Sequence, residues 1–261
     1  MKAQVSIPSG SRTLRGIVHT PDEQPVKSVV CIYPGLDGTK VGPHRLLVHI
    51  SDALEAVGVA SVRFDLTGQG DSDGEYHEIT SELWAEDVQS IFRFIEDSEE
   101  LRGLEVMTLG FSLGGIVAAK AAASRRDLVT GIIMLSPALN AAQLSQNMLA
   151  KLPEGAQTIN FAGNIGTRER AEAYAKSDPT EVFQHIRAPI LMLTGTADSM
   201  VPKDLYRAFA QKYISERGLH LEFEGTNHSF SHGNFTGFLT SVISNFVQHK
   251  PVMPNQSVHS S

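Results

Sequence analysis

At 261 residues and 41% hydrophobic, the chain can bury a large core, and α/β folds of this size commonly form one domain. Its 22 Lys+Arg against 29 Asp+Glu leave a net charge of −7 with no concentrated basic segment, which argues against nucleic acid as a partner. No apolar stretch approaches the ~18 residues of a membrane span, and the N-terminus lacks an h-region, so no span, no secretory signal and a cytoplasmic location are expected.

The first elements are a β-hairpin, Ala3 to Ile7 and Leu14 to His19, turned by Pro8-Ser9-Gly10-Ser11. A strand over Ser28 to Tyr33 follows; it contains Cys31, the only cysteine, which has no disulfide partner and reads as a small core residue. Helix-period and apolar segments then alternate: helix Leu46 to Val57, strand Val59 to Phe64, helix Leu83 to Ile95, strand Leu104 to Leu109, helix Leu113 to Ser124, strand Gly131 to Leu135. The rhythm breaks between Pro137 and Ala188, where no strand pattern stands out and Leu144, Met148, Ile159, Phe161 and Tyr174 lie among polar residues. A bare loop that long is unusual, so an inserted helical cap is expected there. The alternation resumes with strand Ile190 to Leu193, helix Asp204 to Ile214, strand Leu219 to Phe223 and helix Phe235 to Val247. This pattern predicts an α/β fold with a mainly parallel central sheet and helices on both faces. Residues 1–136 and 189–249 form the core, 137–188 the cap and 250–261 a disordered tail.

Gly110-Phe111-Ser112-Leu113-Gly114 joins an apolar strand to an alanine-rich helix. A strand that reverses into a helix within two residues cramps the backbone at its apex, and flanking glycines remove the side chains that would collide there. A serine hydroxyl is a poor nucleophile, so Ser112 needs a base and a group to orient that base. Asp198 and His228 each follow the end of a predicted strand, and in an open parallel sheet those ends share one edge. Read alone, Asp198 is also a turn former or helix cap, and a lone loop histidine is usually solvated; strand-end position selects His228, with His232 the alternative base. For an oxyanion the donors expected are the backbone N–H groups of Leu113, at a helix start, and of Leu36, in Pro34-Gly35-Leu36-Asp37-Gly38. Asp37, Lys40 and His44 follow that loop and read as solvated residues near the substrate. No Cys/His cluster has metal-ligand spacing, and Gly68-Gln69-Gly70 lacks the dinucleotide pattern, so neither metal nor cofactor is expected.

Between residues 29 and 230 the chain resembles the α/β-hydrolases, in the group with small bacterial esterases, feruloyl (cinnamoyl) esterases, monoacylglycerol lipases and serine aminopeptidase-like hydrolases. Pro34-Gly35-Leu36 resembles that group's His-Gly-x oxyanion loop, with proline for histidine. Asp65-Leu66-Thr67-Gly68-Gln69-Gly70-Asp71-Ser72 resembles its structural Asp-x-x-Gly-x-Gly-x-Ser loop, in which Asp65 and Ser72 brace by hydrogen bonds. The order Ser112, Asp198, His228 is also the group's. The resemblance implies a serine hydrolase that cleaves carboxylic esters through an acyl-enzyme on Ser112. A thioesterase or acyltransferase with the same triad is the alternative, because the triad does not report the leaving group. A non-catalytic binding protein of this fold is disfavoured, since all three positions are filled. Serine at 112 also argues against dehalogenases and epoxide hydrolases, whose nucleophile is a carboxylate. The substrate is therefore a small-molecule ester or thioester, with Leu144, Met148 and Phe161 of the cap expected to contact it.

Overall fold

The computed structural model describes all residues except 23, 162, 232–234 and 253–261, and only the backbone of Phe161. It opens on the antiparallel hairpin β1 (Lys2–Ser9) and β2 (Arg12–His19). β3 (Ser28–Tyr33), α1 (Leu46–Glu55), β4 (Val59–Phe64), α2 (Ser81–Asp97), β5 (Glu105–Phe111), α3 (Leu113–Ser124) and β6 (Val129–Leu135) follow in alternation. After α4 (Ala141–Leu149), β7 (Thr158–Phe161), β8 (Asn164–Thr167) and α5 (Arg168–Lys176), the alternation resumes with β9 (Ile190–Gly195), α6 (Lys203–Tyr213), β10 (Gly218–Phe223) and α7 (Phe235–Val247).

Eight strands form one sheet in the order β1-β2-β4-β3-β5-β6-β9-β10, parallel from β4 to β10 and antiparallel on either side of β2. Every residue of β3, β4 and β9 is buried, which is why β3 and the Ile190–Leu193 part of β9 read as near-continuous apolar runs, while β4 buries Ser61 and Arg63 among its apolar residues. Ile50, Leu54, Leu239 and Ile243 of α1 and α7 pack on one face; Ile91, Phe92, Ala118 and Phe209 of α2, α3 and α6 pack on the other. Strand order reverses at β3, whose neighbours are β4 and β5, so the connections leaving β3 and β5 diverge and open a crevice at the carboxyl edge. Cys31 is buried on β3, where desolvation pushes its thiol up to about 12 and keeps it protonated and unreactive.

The interval between β6 and β9 differs from its sequence reading. Its helices α4 and α5 pack together and flank an antiparallel hairpin of two four-residue strands, β7 and β8. Strands this short carry too few alternations to show a period. α2 also begins earlier than its apolar period, because the Thr80 hydroxyl caps it by accepting from Leu83 N–H at 3.2 Å. From residue 253 the tail read as disordered lies outside the described residues, as does His232. Among the described residues no helix is long and apolar enough to cross a membrane.

Candidate active site

β5 ends at Phe111 and α3 begins at Leu113, so Ser112 alone turns the chain, at φ 55° and ψ −121°. For a residue with a Cβ that conformation costs about 1–3 kcal/mol and persists only where the surroundings impose it. Here they do. A Cβ at Gly110 would overlap the carbonyl oxygen of Gly114, and one at Gly114 would overlap those of Tyr33 and Pro34. Ser112 N–H donates to the Leu135 carbonyl at 2.9 Å and Ala138 N–H donates to the Ser112 carbonyl at 3.1 Å, tying the apex to the end of β6.

Asp198 and His228 arrive on the loops that leave β9 and β10. Those loops are joined by backbone bonds of 3.0 Å from Thr196 N–H to Phe223 and from Ala197 N–H to Thr226. The result is a continuous chain: Ser112 Oγ donates to His228 Nε2 at 3.0 Å, and His228 Nδ1 donates to Asp198 Oδ2 at 2.8 Å. Phe111 packs against the imidazole with ring centroids 5.3 Å apart. Asp198 has no exposed side-chain surface. Its burial favours the neutral acid, yet hydrogen bonds from His228 and from the Val201 and Met200 amides outweigh that and hold the carboxyl below its ordinary range. Such an arrangement can remove a proton from Ser112 and stabilise the imidazolium that forms.

Tyr206 completes this constellation and was not singled out in the sequence. It is fully buried on α6, and its hydroxyl donates to Asp198 Oδ2 at 2.9 Å, the same oxygen that faces His228. Burial and the adjacent carboxylate push the phenol well above its usual range, so it remains a donor. The spacing of eight residues from Asp198, one turn into the helix after Pro202, was the available signal. Tyr206→Phe is expected to lower kcat roughly tenfold with little change in KM, consistent with one lost hydrogen bond to a charged group. Without that donor Asp198 holds more negative charge toward the imidazole, so the acid limb of the kcat/KM profile should move to higher pH. A superimposable profile would reduce Tyr206 to packing.

Leu36 and Leu113 line the same pocket as Ser112, and neither N–H donates to an acceptor among the described residues. The loop carrying Leu36 is held by Gln69, a second residue that sequence reasoning did not single out: its Nε2 donates to the carbonyls of Gly35 at 2.6 Å and Leu36 at 3.0 Å. The surrounding loop is braced by Asp65, which accepts from Lys40 N–H and Nζ at 2.5 Å, and by Ser72, whose hydroxyl donates to the Asp65 carbonyl at 2.6 Å. Lys40 is therefore engaged in structure, and His44 donates to the Ser229 carbonyl at 2.6 Å; Asp37 lines the pocket.

The pocket over Ser112 has a volume of about 110 Å³. Leu144 and Met148 reach it from α4, Ile159 from β7 and Tyr174 from α5, all between β6 and β9. The side chain of Phe161 lies outside the described residues. His19, Asp52 and Glu55 bring metal-type ligands together elsewhere, but Asp52 pairs with Lys2 at 2.7 Å and Glu55 with the terminal ammonium at 3.0 Å.

The profile of the family described as serine aminopeptidase, S33 matches residues 24–175. Among curated proteins the chain is similar to the mitochondrial palmitoyl-protein thioesterase ABHD10 of Homo sapiens, 31% identical over 191 residues, and that of Bos taurus, 32% identical over 193 residues. Each alignment covers 69% of this chain but only 58% of the relative. Among solved structures it is similar to Est1E from Butyrivibrio proteoclasticus with bound ferulic acid, with a TM-score of 0.84 and 21% identity, covering 94% of this chain and 98% of that one. The Pyrococcus furiosus esterase Pf2001 follows at 0.73 and 16%, covering 96% and 91%. These likenesses establish an α/β-hydrolase fold, and with more than half its length matched to the profile, the chain belongs to the serine aminopeptidase S33 family of α/β-hydrolases.

Proposed function

We propose that this protein is a serine hydrolase that cleaves carboxylic esters of apolar acids through an acyl-enzyme on Ser112. The observation that carries the reading is the hydrogen-bonded chain Ser112, His228, Asp198 at the floor of a largely apolar pocket. In this reading His228 Nε2 takes the Ser112 proton as Oγ attacks the ester carbonyl, and the oxyanion rests on the Leu36 and Leu113 N–H groups. The intermediate collapses, the leaving alcohol receives the proton from His228, and water repeats the sequence to release the acid.

A second reading is favoured by one finding: the curated relatives are named palmitoyl-protein thioesterases. A thioester presents the same carbonyl to the same groups and differs in the leaving sulfur. Paired oxygen and sulfur esters of a single acyl group decide between them through kcat/KM. Turnover of either, with a fluorophosphonate adduct on Ser112, supports a hydrolase. No turnover of any ester or thioester and no adduct would end both readings.

The same proposal makes the inserted segment the determinant of acyl preference. Leu144→Gln and Met148→Gln should change kcat/KM for butyrate and octanoate esters by roughly tenfold or more relative to acetate, the value of about one lost apolar contact. A uniform change across the three esters would mean that α4 packs without reading the substrate.

A further inference from the structure

Beside the pocket over Ser112 lies a second, larger cavity of about 300 Å³, between α2 and α3. Trp84 and Val88 of α2 and Ile116, Val117 and Ala121 of α3 make its wall apolar, while Lys120 and Glu86 stand at its edge. The two cavities share Leu113 and Tyr174 in their linings, so they abut across those two side chains. Leu113 directly follows the serine, and Tyr174 belongs to α5 of the inserted segment. At about 110 Å³ the pocket over Ser112 falls short of the roughly 300 Å³ at which sites for sizeable ligands begin, and its neighbour supplies the missing room.

We propose that the cavity between α2 and α3 is a tail subsite, which receives the distal methylenes of a long-chain acyl group whose carbonyl sits at Ser112. The inference rests on the proposed serine-hydrolase reading and adds the substrate class to it: long, unsubstituted, uncharged acyl chains. The occupant follows from the wall that the two cavities share at Leu113 and Tyr174 and from the chemistry of their linings. Apolar side chains from two adjacent helices line most of the cavity, so methylenes buried there gain by leaving water, and the wall offers few polar partners to a substituted chain. Tyr174 is the partition a long chain must turn aside, whereas a short chain stops in front of it.

The test compares p-nitrophenyl butyrate with p-nitrophenyl laurate. Val117→Trp fills the cavity from α3, and Ala85→Trp fills it from the exposed mouth on α2, where a larger side chain is more easily accommodated should Val117→Trp fail to fold. Either plug is expected to lower the laurate-to-butyrate ratio of kcat/KM about tenfold or more, through laurate. Tyr174→Ala should raise the same ratio. Folded Ala85→Trp protein with the wild-type ratio would overturn the tail subsite while leaving the hydrolase reading intact. Failure of the wild type on every ester and thioester tried, with no fluorophosphonate adduct on Ser112, would instead overturn the hydrolase reading.

Discussion

Ser112→Ala is expected to cut ester turnover by about 10⁴-fold or more while leaving the protein folded. The size of the loss follows from the acyl-enzyme step, for which no other hydroxyl donates to His228 Nε2 among the described residues. The intact fold follows from what imposes the turn. Its positive φ is enforced by the close approach of Gly110 to Gly114 and of Gly114 to Tyr33 and Pro34, and by backbone bonds to Leu135 and from Ala138; the hydroxyl takes no part in them. Kinetics on the purified variant, with circular dichroism and a melting curve alongside, check both halves. Retention of more than a few per cent of wild-type kcat would remove serine from the mechanism, and loss of the fold would place the hydroxyl in the structure of the turn.

His228→Ala and Asp198→Asn should lower kcat by roughly 10⁴-fold each, with KM nearly unchanged, because both groups act on the transition state and neither lines the acyl pocket. Asp198→Asn has a specific cause. An amide in the fully buried place of the carboxylate leaves no negative charge beside the imidazolium, and its NH₂ can replace the acceptor that His228 Nδ1 needs, favouring the wrong tautomer. The double variant is expected to lose little more than either single one, since the groups act as a unit. His232→Ala is the comparison, because the sequence offers that histidine as the alternative base; a loss as large as that from His228→Ala would move the base assignment. Large increases in KM at constant kcat would mean that these residues bind substrate rather than move its proton.

Local chemistry made several features legible before any fold was known. Gly110 and Gly114 around Ser112 announce a backbone too crowded for side chains, and the near-continuous apolar runs of β3 and β9 announce strands covered on both faces. Strand-end position sufficed to nominate Asp198 and His228, because a parallel sheet gathers such ends along one edge. Their hydrogen bonds to each other and to Ser112 span 30 and 116 residues of chain and exist only once the sheet order brings β5, β9 and β10 together. Tyr206 and Gln69 went unmarked for the same reason. Each acts through hydrogen bonds to a distant backbone or carboxylate, and a tyrosine in an amphipathic helix or a glutamine between glycines leaves no pattern to read. The β7–β8 hairpin escaped because four-residue strands take their stability from the helices beside them and carry no period of their own. Sequence thus determined the turn that bears Ser112 and the alternation that builds the sheet, both products of neighbouring residues; the second partner of Asp198, the brace on the loop carrying Leu36 and the pair of cavities meeting at Leu113 and Tyr174 were decided by packing between elements far apart in the chain.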